Sequence, residues 1–282
     1  MNVLVLGGTG AIGSAVVTEL LARHHTVSIL CRSASSEIRA QELGAVPIPG
    51  SIDDPAPWVD RLAEPARTDA VIHLATGFGS DAGNADRKLL DAIFERAATR
   101  PAHAKLRLLY TGGIWLFGSC TEAPGPDTPF RPPNVWQWAA TGCTRVLAEP
   151  SVTGMVIHPA NVTDDETGVP PILLTDAQTH CVVRIPLPPD ATWPLVQRSA
   201  LARLYADTLE HGGAGTVCIG VSEEAVRLDE LARRTARATG IPGDPIYVAA
   251  STWQEEYGDW ACGCGLSQVA QIRRYFSNEG TE

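Results

Sequence analysis

The chain has 282 residues, of which 44% are hydrophobic and 19% charged, and its formal net charge at pH 7 is −10. This length and composition are typical of one large globular α/β domain, or of a nucleotide-binding domain with a smaller appendage. The acidic balance and the absence of long basic runs exclude a typical nucleic-acid partner, because binding to phosphates depends on clustered Lys and Arg.

The seven cysteines predict neither a disulfide framework nor a metal site. No two of them stand at Cys-x-x-Cys spacing, and their number is odd. We expect reduced thiols, as in a cytoplasmic protein. The N-terminal apolar run stops at glycine, and no stretch approaches the roughly 20 apolar residues of a membrane helix. We therefore expect no membrane partner.

A glycine-rich turn at the N-terminus is the first functional signal. Apolar residues 3–6 run into Gly7, Gly10 and Gly13, and a helical pattern follows at once. Gly7 permits a sharp turn, Gly10 lets the backbone approach a pyrophosphate, and Gly13 lets the helix pack closely on the strand. The helix N-terminus then faces the phosphate charge. The pattern predicts a dinucleotide site, and a plain strand–helix turn is the alternative.

Strands and helices alternate along the rest of the chain. Predicted strands lie at 26–31, 45–48, 70–75, 106–110, 154–158 and 216–219. Predicted helices lie at 37–43, from 53–55 to about 62, and at 84–98, 136–149, 199–211 and 228–240. This alternation predicts an α/β fold with a doubly wound parallel sheet of the Rossmann type. A small, mainly helical C-terminal region is expected to help bind the substrate.

Two units are predicted from the pattern of prolines and aromatic residues. Residues 1–162 form a Rossmann domain, which a helix and a strand at about 199–220 complete. Residues 163–198 and 221–282 form a substrate-binding or lid region. The first of these segments is rich in proline but too hydrophobic for disorder, so we interpret it as an ordered insertion.

Six segments in sequence order suggest a relationship to a known family. They are the turn at 7–13, Asp53 at an adenine-contacting acid, His73-Leu74-Ala75-Thr76 at a fourth-strand loop, Asn84 on the fourth helix, His158-Pro159-Ala160-Asn161-Val162 at a nicotinamide-lining segment, and Val226 to Gly240 at a helix entry. In these segments the chain resembles the extended short-chain dehydrogenase/reductase family. The resemblance implies a cofactor site at Gly7, Thr9, Gly10, Ala11, Ile12, Gly13, Asp53, Leu74, Ala75, Thr76, Tyr110, Pro159 and Asn161.

The end of the second strand indicates which dinucleotide binds. An acid there would bind the ribose 2′-hydroxyl and repel a 2′-phosphate. The chain has Cys31 at this position, followed by Arg32 and Ser33, a cation and a hydroxyl suited to the phosphate of NADP(H). A solvated surface arginine is the alternative interpretation.

The chain departs from the family at the catalytic positions. The family pattern has Ser or Thr after the fifth strand and Tyr-x-x-x-Lys on the next helix, where the tyrosine donates a proton. Alignment of residues 110–118 with the family's strand-end segment places Gly113 at the Ser/Thr position. Alignment through the helix end places Thr141 at the tyrosine and Arg145 at the lysine, and the chain contains no Tyr-x-x-x-Lys. Thr111, Thr141 and Arg145 are the catalytic candidates that remain.

Other residues near the expected pocket have two possible roles. His158 precedes a proline at a strand end, which favours a structural role over proton transfer. Trp115, Trp136 and Trp138 either stack on a flat aromatic substrate or belong to the core.

The resemblance implies an NADPH-dependent ketoreductase that lacks the usual proton relay. Angucyclinone-type polyketide ketoreductases include atypical family members of this kind. The expected substrate is a polycyclic aromatic polyketide ketone of antibiotic biosynthesis, whose own hydroxyl stabilises the alkoxide. The alternative is a non-catalytic NADP(H) sensor of the same fold. An epimerase or dehydratase is less favoured, because those reactions also use the missing tyrosine.

Overall fold

The computed structural model describes residues 1–75, 81–125, 127–271 and the backbone of 274–275. The strands are β1 (Asn2–Leu6), β2 (Thr26–Cys31), β3 (Val46–Pro49), β4 (Ala70–His73), β5 (Leu106–Thr111), β6 (Val152–Pro159), β7 (Asn161–Thr163), β8 (Arg184–Ile185), β9 (Thr192–Gln197), β10 (Val217–Gly220), β11 (Glu223–Arg227), β12 (Ile246–Tyr247) and β13 (Arg274–Tyr275). The helices are α1 (Ala11–Ala22), α2 (Ala34–Glu42), α3 (Ala56–Val59), α4 (Ala82–Ala97), α5 (Gln137–Ala148), α6 (Pro171–His180), α7 (Arg198–His211), α8 (Leu228–Thr239) and α9 (Ala250–Tyr257). Short 3₁₀ turns lie at Asp60–Ala63, Ala102–Ala104, Ile114–Phe117, Asn134–Trp136 and Asp259–Gly265.

The central sheet has the strand order β13-β10-β6-β5-β4-β1-β2-β3. Seven of its strands are parallel, and β13 pairs antiparallel with β10 at the edge. This confirms the predicted doubly wound parallel sheet. The strand order reverses between β1 and β4, which is where ligands bind in open α/β sheets.

Both faces of the sheet are covered by helices. Val3 and Val5 of β1 belong to the core cluster that includes α1 and α7, while Leu4 and Leu6 belong to the cluster that includes α4 and α5. Adjacent residues of a strand point to opposite faces, so an unbroken apolar run is what such a strand requires.

Some helix and strand boundaries differ from those predicted. Helix α2 begins three residues before its predicted start, because the Ser33 hydroxyl accepts a hydrogen bond from the Ser36 N–H and caps it there. Strand β4 ends at His73 rather than at Ala75, since the following backbone crosses over the glycine turn.

A second layer contains helices α6, α8 and α9 and two small sheets, β11-β9-β7 and β12-β8. Its core surrounds the fully buried Trp193 and Trp253. The sequence did not predict these strands, because most of them are very short and Pro194 interrupts β9. Strand β7 crosses the predicted boundary at residue 162 and β13 joins the central sheet, so the domain limits stay a prediction. None of the described helices is both long and apolar enough to cross a membrane.

Candidate functional site

The glycine turn joins β1 to α1 in a tightly packed conformation. Gly7 has φ +82°, and a Cβ on it would lie 2.7 Å from the Ala75 nitrogen. A Cβ on Gly13 would lie 2.1 Å from the Gly7 carbonyl oxygen. Gly10 caps α1 without a side-chain hydrogen bond, and Gly10 and Ala11 are exposed. The first N–H groups of α1 thus face open space, so the turn fits a dinucleotide pyrophosphate.

The other predicted cofactor residues surround this turn. Thr9 lies within it, and Ile12 and Leu74 line the main cleft described below. Asp53 is exposed and lines a neighbouring hollow together with Ala75. Thr76 lies outside the described residues.

Arg32 and Ser33 lie at the end of β2, on one side of the turn. Both are exposed, and they line a hollow with Glu37 and Asp54. Among the residues that the structure describes, the Arg32 guanidinium makes no hydrogen bond or ion pair. The Ser33 hydroxyl is engaged in capping α2. Arg32 therefore has an unpaired positive charge beside the cofactor groove.

The main cleft opens where the ends of β5 and β6 meet the start of α1. The residues that line it are almost all apolar or glycine: Ile12, Leu74, Thr111, Gly112, Gly113, Ile114, Trp115, Leu116, Trp136, Trp138, Ala139, Pro159, Ala160, Asn161 and Val162. No charged side chain occurs among these lining residues. The cleft thus offers an apolar surface with few polar groups.

One wall of the cleft consists of tryptophans. The rings of Trp115 and Trp136 have centroids 6.0 Å apart, and Trp136 and Trp138 have centroids 6.1 Å apart. Trp260, from the distant 3₁₀ turn, stacks on Trp115 at 6.2 Å and 18°. The Trp115 Nε1–H donates to Asn161 Oδ1 at 3.1 Å, which fixes both side chains. The three predicted tryptophans are thus brought together, and we call them and Trp260 the aromatic wall.

Thr141 and Arg145 are not among the described residues that line this cleft, so their catalytic role stays a prediction. The Thr141 side chain is exposed and donates to the Gln137 carbonyl, and Arg145 pairs with Asp91 of α4. Helix α5 instead presents Ala139 to the cleft, and Cys143 follows one turn later, fully buried. Neither side chain replaces the family's tyrosine or lysine.

Gly113 and Thr111, at the end of β5, do line the cleft. A Cβ on Gly113 would have no atom within 4 Å, so a serine there would project into open space. The Thr111 Oγ1 lies 2.7 Å from the hydroxyl of Tyr205, a residue of α7 that is fully buried. Among the described residues that line the cleft, Thr111 alone carries a hydroxyl.

His158 and Tyr110 lie in the core beside the cleft. The Gly113 N–H donates to His158 Nδ1 at 3.2 Å, and burial lowers the pKa of His158 to about 4. This neutral ring packs edge-on against Phe117 and has the structural role expected. The Tyr110 hydroxyl donates to Asp86 at 3.0 Å, and burial raises its pKa. The Tyr110 side chain is thus turned toward Asp86 and is not among the described residues that line the main cleft, whereas Pro159 and Asn161 are. Its contact with the cofactor stays a prediction.

Sequence reasoning missed Trp260 and Tyr205. Trp260 stacks on Trp115 from a distant part of the chain, and no periodic pattern indicates this contact. Tyr205 belongs to the apolar stripe of a predicted helix, where a tyrosine hydroxyl requires a partner. The need for a partner of the Tyr205 hydroxyl is the only sequence signal that points to its contact with Thr111.

Comparison with known proteins relates the first half of the chain to one family. Residues 3–137, slightly less than half of the chain, match the NAD dependent epimerase/dehydratase family. An uncharacterized protein of Schizosaccharomyces pombe is 27% identical over 270 residues, which cover 92% of this chain and 86% of that protein. The family match agrees with the resemblance to the extended dehydrogenase/reductases, whose members are NAD-dependent enzymes.

Solved structures show the same fold. A dTDP-glucose 4,6-dehydratase from Bacillus anthracis, in complex with NAD, has a TM-score of 0.74 at 16% identity and covers 88% of this chain and 84% of its own. A UDP-glucose 4-epimerase from Thermotoga maritima has a TM-score of 0.71 at 18% identity and covers 88% and 86%. At such low identity these similarities establish the fold alone.

Proposed function

We propose that this protein is an NADPH-dependent reductase of flat, uncharged aromatic ketones that works without the Ser–Tyr–Lys relay. The observation that carries the proposal is the main cleft: an aromatic wall and no charged lining residue, beside an intact dinucleotide turn. A polycyclic polyketide ketone, as the sequence resemblance implies, is the natural substrate of this class.

Residues of the glycine turn and its surroundings are suited to bind each part of the dinucleotide. The N–H groups of the glycine turn and of α1 bind the pyrophosphate, and Asp53 lies on the adenine side. Arg32 attracts the additional phosphate of NADPH. When bound, a reduced nicotinamide supplies the hydride. Ile12, Leu74 and Pro159 give its ring an apolar, water-poor surrounding.

The substrate class follows from charge and shape. The dehydratase and the epimerase act, by their names, on nucleotide sugars, which carry a diphosphate. Binding a diphosphate requires cations or N–H donors, and the described residues that line this cleft include no cationic side chain. Indole rings instead stack well on flat aromatic rings. An uncharged aromatic compound is therefore preferred over a nucleotide sugar.

Proton delivery must come from outside the protein. Thr111 is the only hydroxyl among the lining residues, and an aliphatic hydroxyl is far too weak an acid to replace a tyrosine. A hydroxyl beside the substrate's ketone, or water, supplies the proton instead. The protein contributes mainly orientation and desolvation.

The test is NADPH consumption by purified protein with a panel of ketones. We expect steady oxidation with polycyclic aromatic ketones that carry a neighbouring hydroxyl, and none with UDP-glucose or dTDP-glucose. NADH should serve less well than NADPH, and Arg32→Glu should reverse this preference. Turnover of a nucleotide sugar with no reaction of any aromatic ketone would overturn the proposal.

A non-catalytic dinucleotide sensor is the second candidate. The observation that favours it is that the described part of α5 presents only Ala139 to the cleft, a side chain without an acid–base group. A sensor would bind NADPH tightly and leave every ketone unreduced. Binding without turnover across the whole panel would therefore select this candidate.

A further inference from the structure

We infer that Tyr205 is a positioning residue: it holds the Thr111 hydroxyl so that the Thr111 hydrogen points into the cleft and donates to the substrate's carbonyl oxygen. This inference rests on the proposed function, since it concerns the ketone in the same cleft. The inference places the carbonyl oxygen of the substrate next to the Thr111 hydroxyl, in a site without the serine and tyrosine of the resembled family.

The two hydroxyls form an isolated pair. Thr111 ends β5 and is partly exposed to the cleft, whereas Tyr205 of α7 is fully buried in the core on the α1 side of the sheet. Their oxygens are 2.7 Å apart. Among the described residues, neither hydroxyl makes another hydrogen bond.

The direction of this hydrogen bond follows from the acidity of the two groups. A phenol is a much stronger acid than an aliphatic alcohol, so it is the better donor, and the alcohol oxygen is the better acceptor. Burial raises the pKa of Tyr205, so its hydroxyl keeps its proton. The Tyr205 O–H therefore donates to Thr111 Oγ1, and the Thr111 hydrogen remains available to another acceptor. The open side of Thr111 is the cleft.

This arrangement stabilises charge without transferring a proton. Ketone reduction adds a hydride to the carbonyl carbon and a proton to the oxygen. Negative charge develops on that oxygen, where a pre-oriented donor is most effective. Thr111 keeps its hydrogen throughout, and the proton comes from water or from the substrate's own hydroxyl. A hydrogen bond to a donor that is itself polarised by Tyr205 is stronger than one to an isolated threonine.

The test compares two tricyclic probes, fluorenone and fluorene. They differ at one carbon, which carries the carbonyl oxygen in fluorenone and two hydrogens in fluorene. Their dissociation constants are measured by tryptophan fluorescence with the full chain, without cofactor. We expect the wild type to prefer fluorenone over fluorene by about tenfold, as one hydrogen bond provides. Thr111→Val should abolish this preference and Thr111→Ser should keep it. Tyr205→Phe should reduce it severalfold, because the phenylalanine ring preserves packing while the oriented donor is lost.

The wavenumber of the infrared carbonyl stretch of bound fluorenone is a second measurement. A change in packing alone would not shift it, whereas a hydrogen bond to the carbonyl oxygen would. It should lie at lower wavenumber in the wild type and in Thr111→Ser than in Thr111→Val, with Tyr205→Phe in between. Thermal unfolding identifies any variant that fails to fold. If Thr111→Val does not fold, Thr111→Ser is compared with the wild type instead.

The outcomes separate this inference from the proposed function. Equal probe preference and equal carbonyl frequency in the wild type and Thr111→Val would overturn the inference, even if NADPH reduces aromatic ketones. If the probe preference depends on Thr111 and Tyr205 while no ketone is reduced, the positioning pair stands and the reductase proposal fails.

Discussion

Gly13 lies in the glycine turn and Gly113 lines the main cleft. A methyl group added at Gly13 would be crowded, whereas one added at Gly113 would lie in open space. At Gly13 it would lie 2.1 Å from a backbone oxygen, whereas at Gly113 no atom lies within 4 Å. The first glycine is required by close backbone packing. The second marks a position where the family's hydroxyl is missing and could be accommodated.

Gly13→Ala should therefore weaken NADPH binding about tenfold or more and lower the unfolding temperature, because overpacking typically costs about 1–3 kcal/mol. Gly113→Ala is the matched control and should leave both properties unchanged, since φ 169° is extended backbone. Fluorescence titration with NADPH and thermal unfolding measure both effects. Wild-type binding by Gly13→Ala would contradict the phosphate-binding role of the turn.

His158 should make the stability depend on pH. Its pKa falls from 6.5 to about 4 on folding because the ring is buried, so between these values the unfolded chain binds a proton that the folded chain refuses. Stability is therefore greatest above pH 6.5 and decreases as the pH falls toward 4, by about 3 kcal/mol in total. His158→Asn keeps an acceptor for Gly113 but does not titrate.

Chemical unfolding at several pH values measures this contribution. The unfolding free energy of His158→Asn should fall less steeply between pH 6.5 and pH 4 than that of the wild type. Identical slopes for the two proteins would show that His158 is protonated as readily in the folded chain as in the unfolded one.

On helix α5, the residues that the sequence alignment selects lie on a different face from the residue that lines the cleft. A shift of two residues rotates a helix position by roughly 200°, which exchanges the buried face for the exposed one. Alignment through the helix end selected Thr141 and Arg145, whereas the structure places Ala139 and Cys143 toward the sheet.

Thr141→Ala and Arg145→Gln should thus retain ketone reduction within about twofold. If either residue took part in proton transfer, its loss would lower the rate by roughly 100-fold or more. Steady-state kcat and KM with an aromatic ketone distinguish the two cases. A loss of that size in kcat would restore the catalytic role predicted from the sequence.

One buried carboxylate links helices α6 and α9 of the second layer. Asp176 of α6 is fully buried, and it accepts hydrogen bonds from Arg184 at 3.1 Å and from the hydroxyl of Tyr257 of α9 at 2.8 Å. Arg184 also pairs with Glu256, so this cluster already contains a cation. It joins α6, β8 and α9 behind the aromatic wall.

Asp176→Asn should destabilise the protein by about 3 kcal/mol, because it weakens two buried hydrogen bonds to a charged acceptor, those from Arg184 and Tyr257. Asp91→Asn removes a half-exposed partner of Arg145 and serves as the control, with an expected cost below about 1 kcal/mol. Urea unfolding gives both values. Similar losses in the two variants would show that the Asp176 cluster is no stronger than a surface pair.

The whole molecule combines features that the sequence predicts well with others that it does not. The glycine turn and the alternation of strands and helices predicted the parallel sheet and the place of the cofactor groove, because both depend on local patterns. By contrast, Trp260 stacks on Trp115 of the aromatic wall, and the Tyr205 hydroxyl contacts Thr111 at the edge of the cleft. These contacts join residues more than 90 positions apart, so only the folded chain brings them together.

The charge distribution of the molecule agrees with the proposed substrate. The chain carries a net charge of −10, yet none of the described residues that line the main cleft is charged. Arg32 lies outside that cleft, on the cofactor side. Charge recognition is thus expected for the dinucleotide, and stacking for the substrate.

Hydride transfer from deuterium-labelled NADPH to a hydroxylated polycyclic aromatic ketone tests this division of roles most directly. Mass spectrometry of the product should find deuterium on the new alcohol carbon, and Thr111→Val should slow its appearance. NADPH bound to the protein with no label in any product would contradict a reductase.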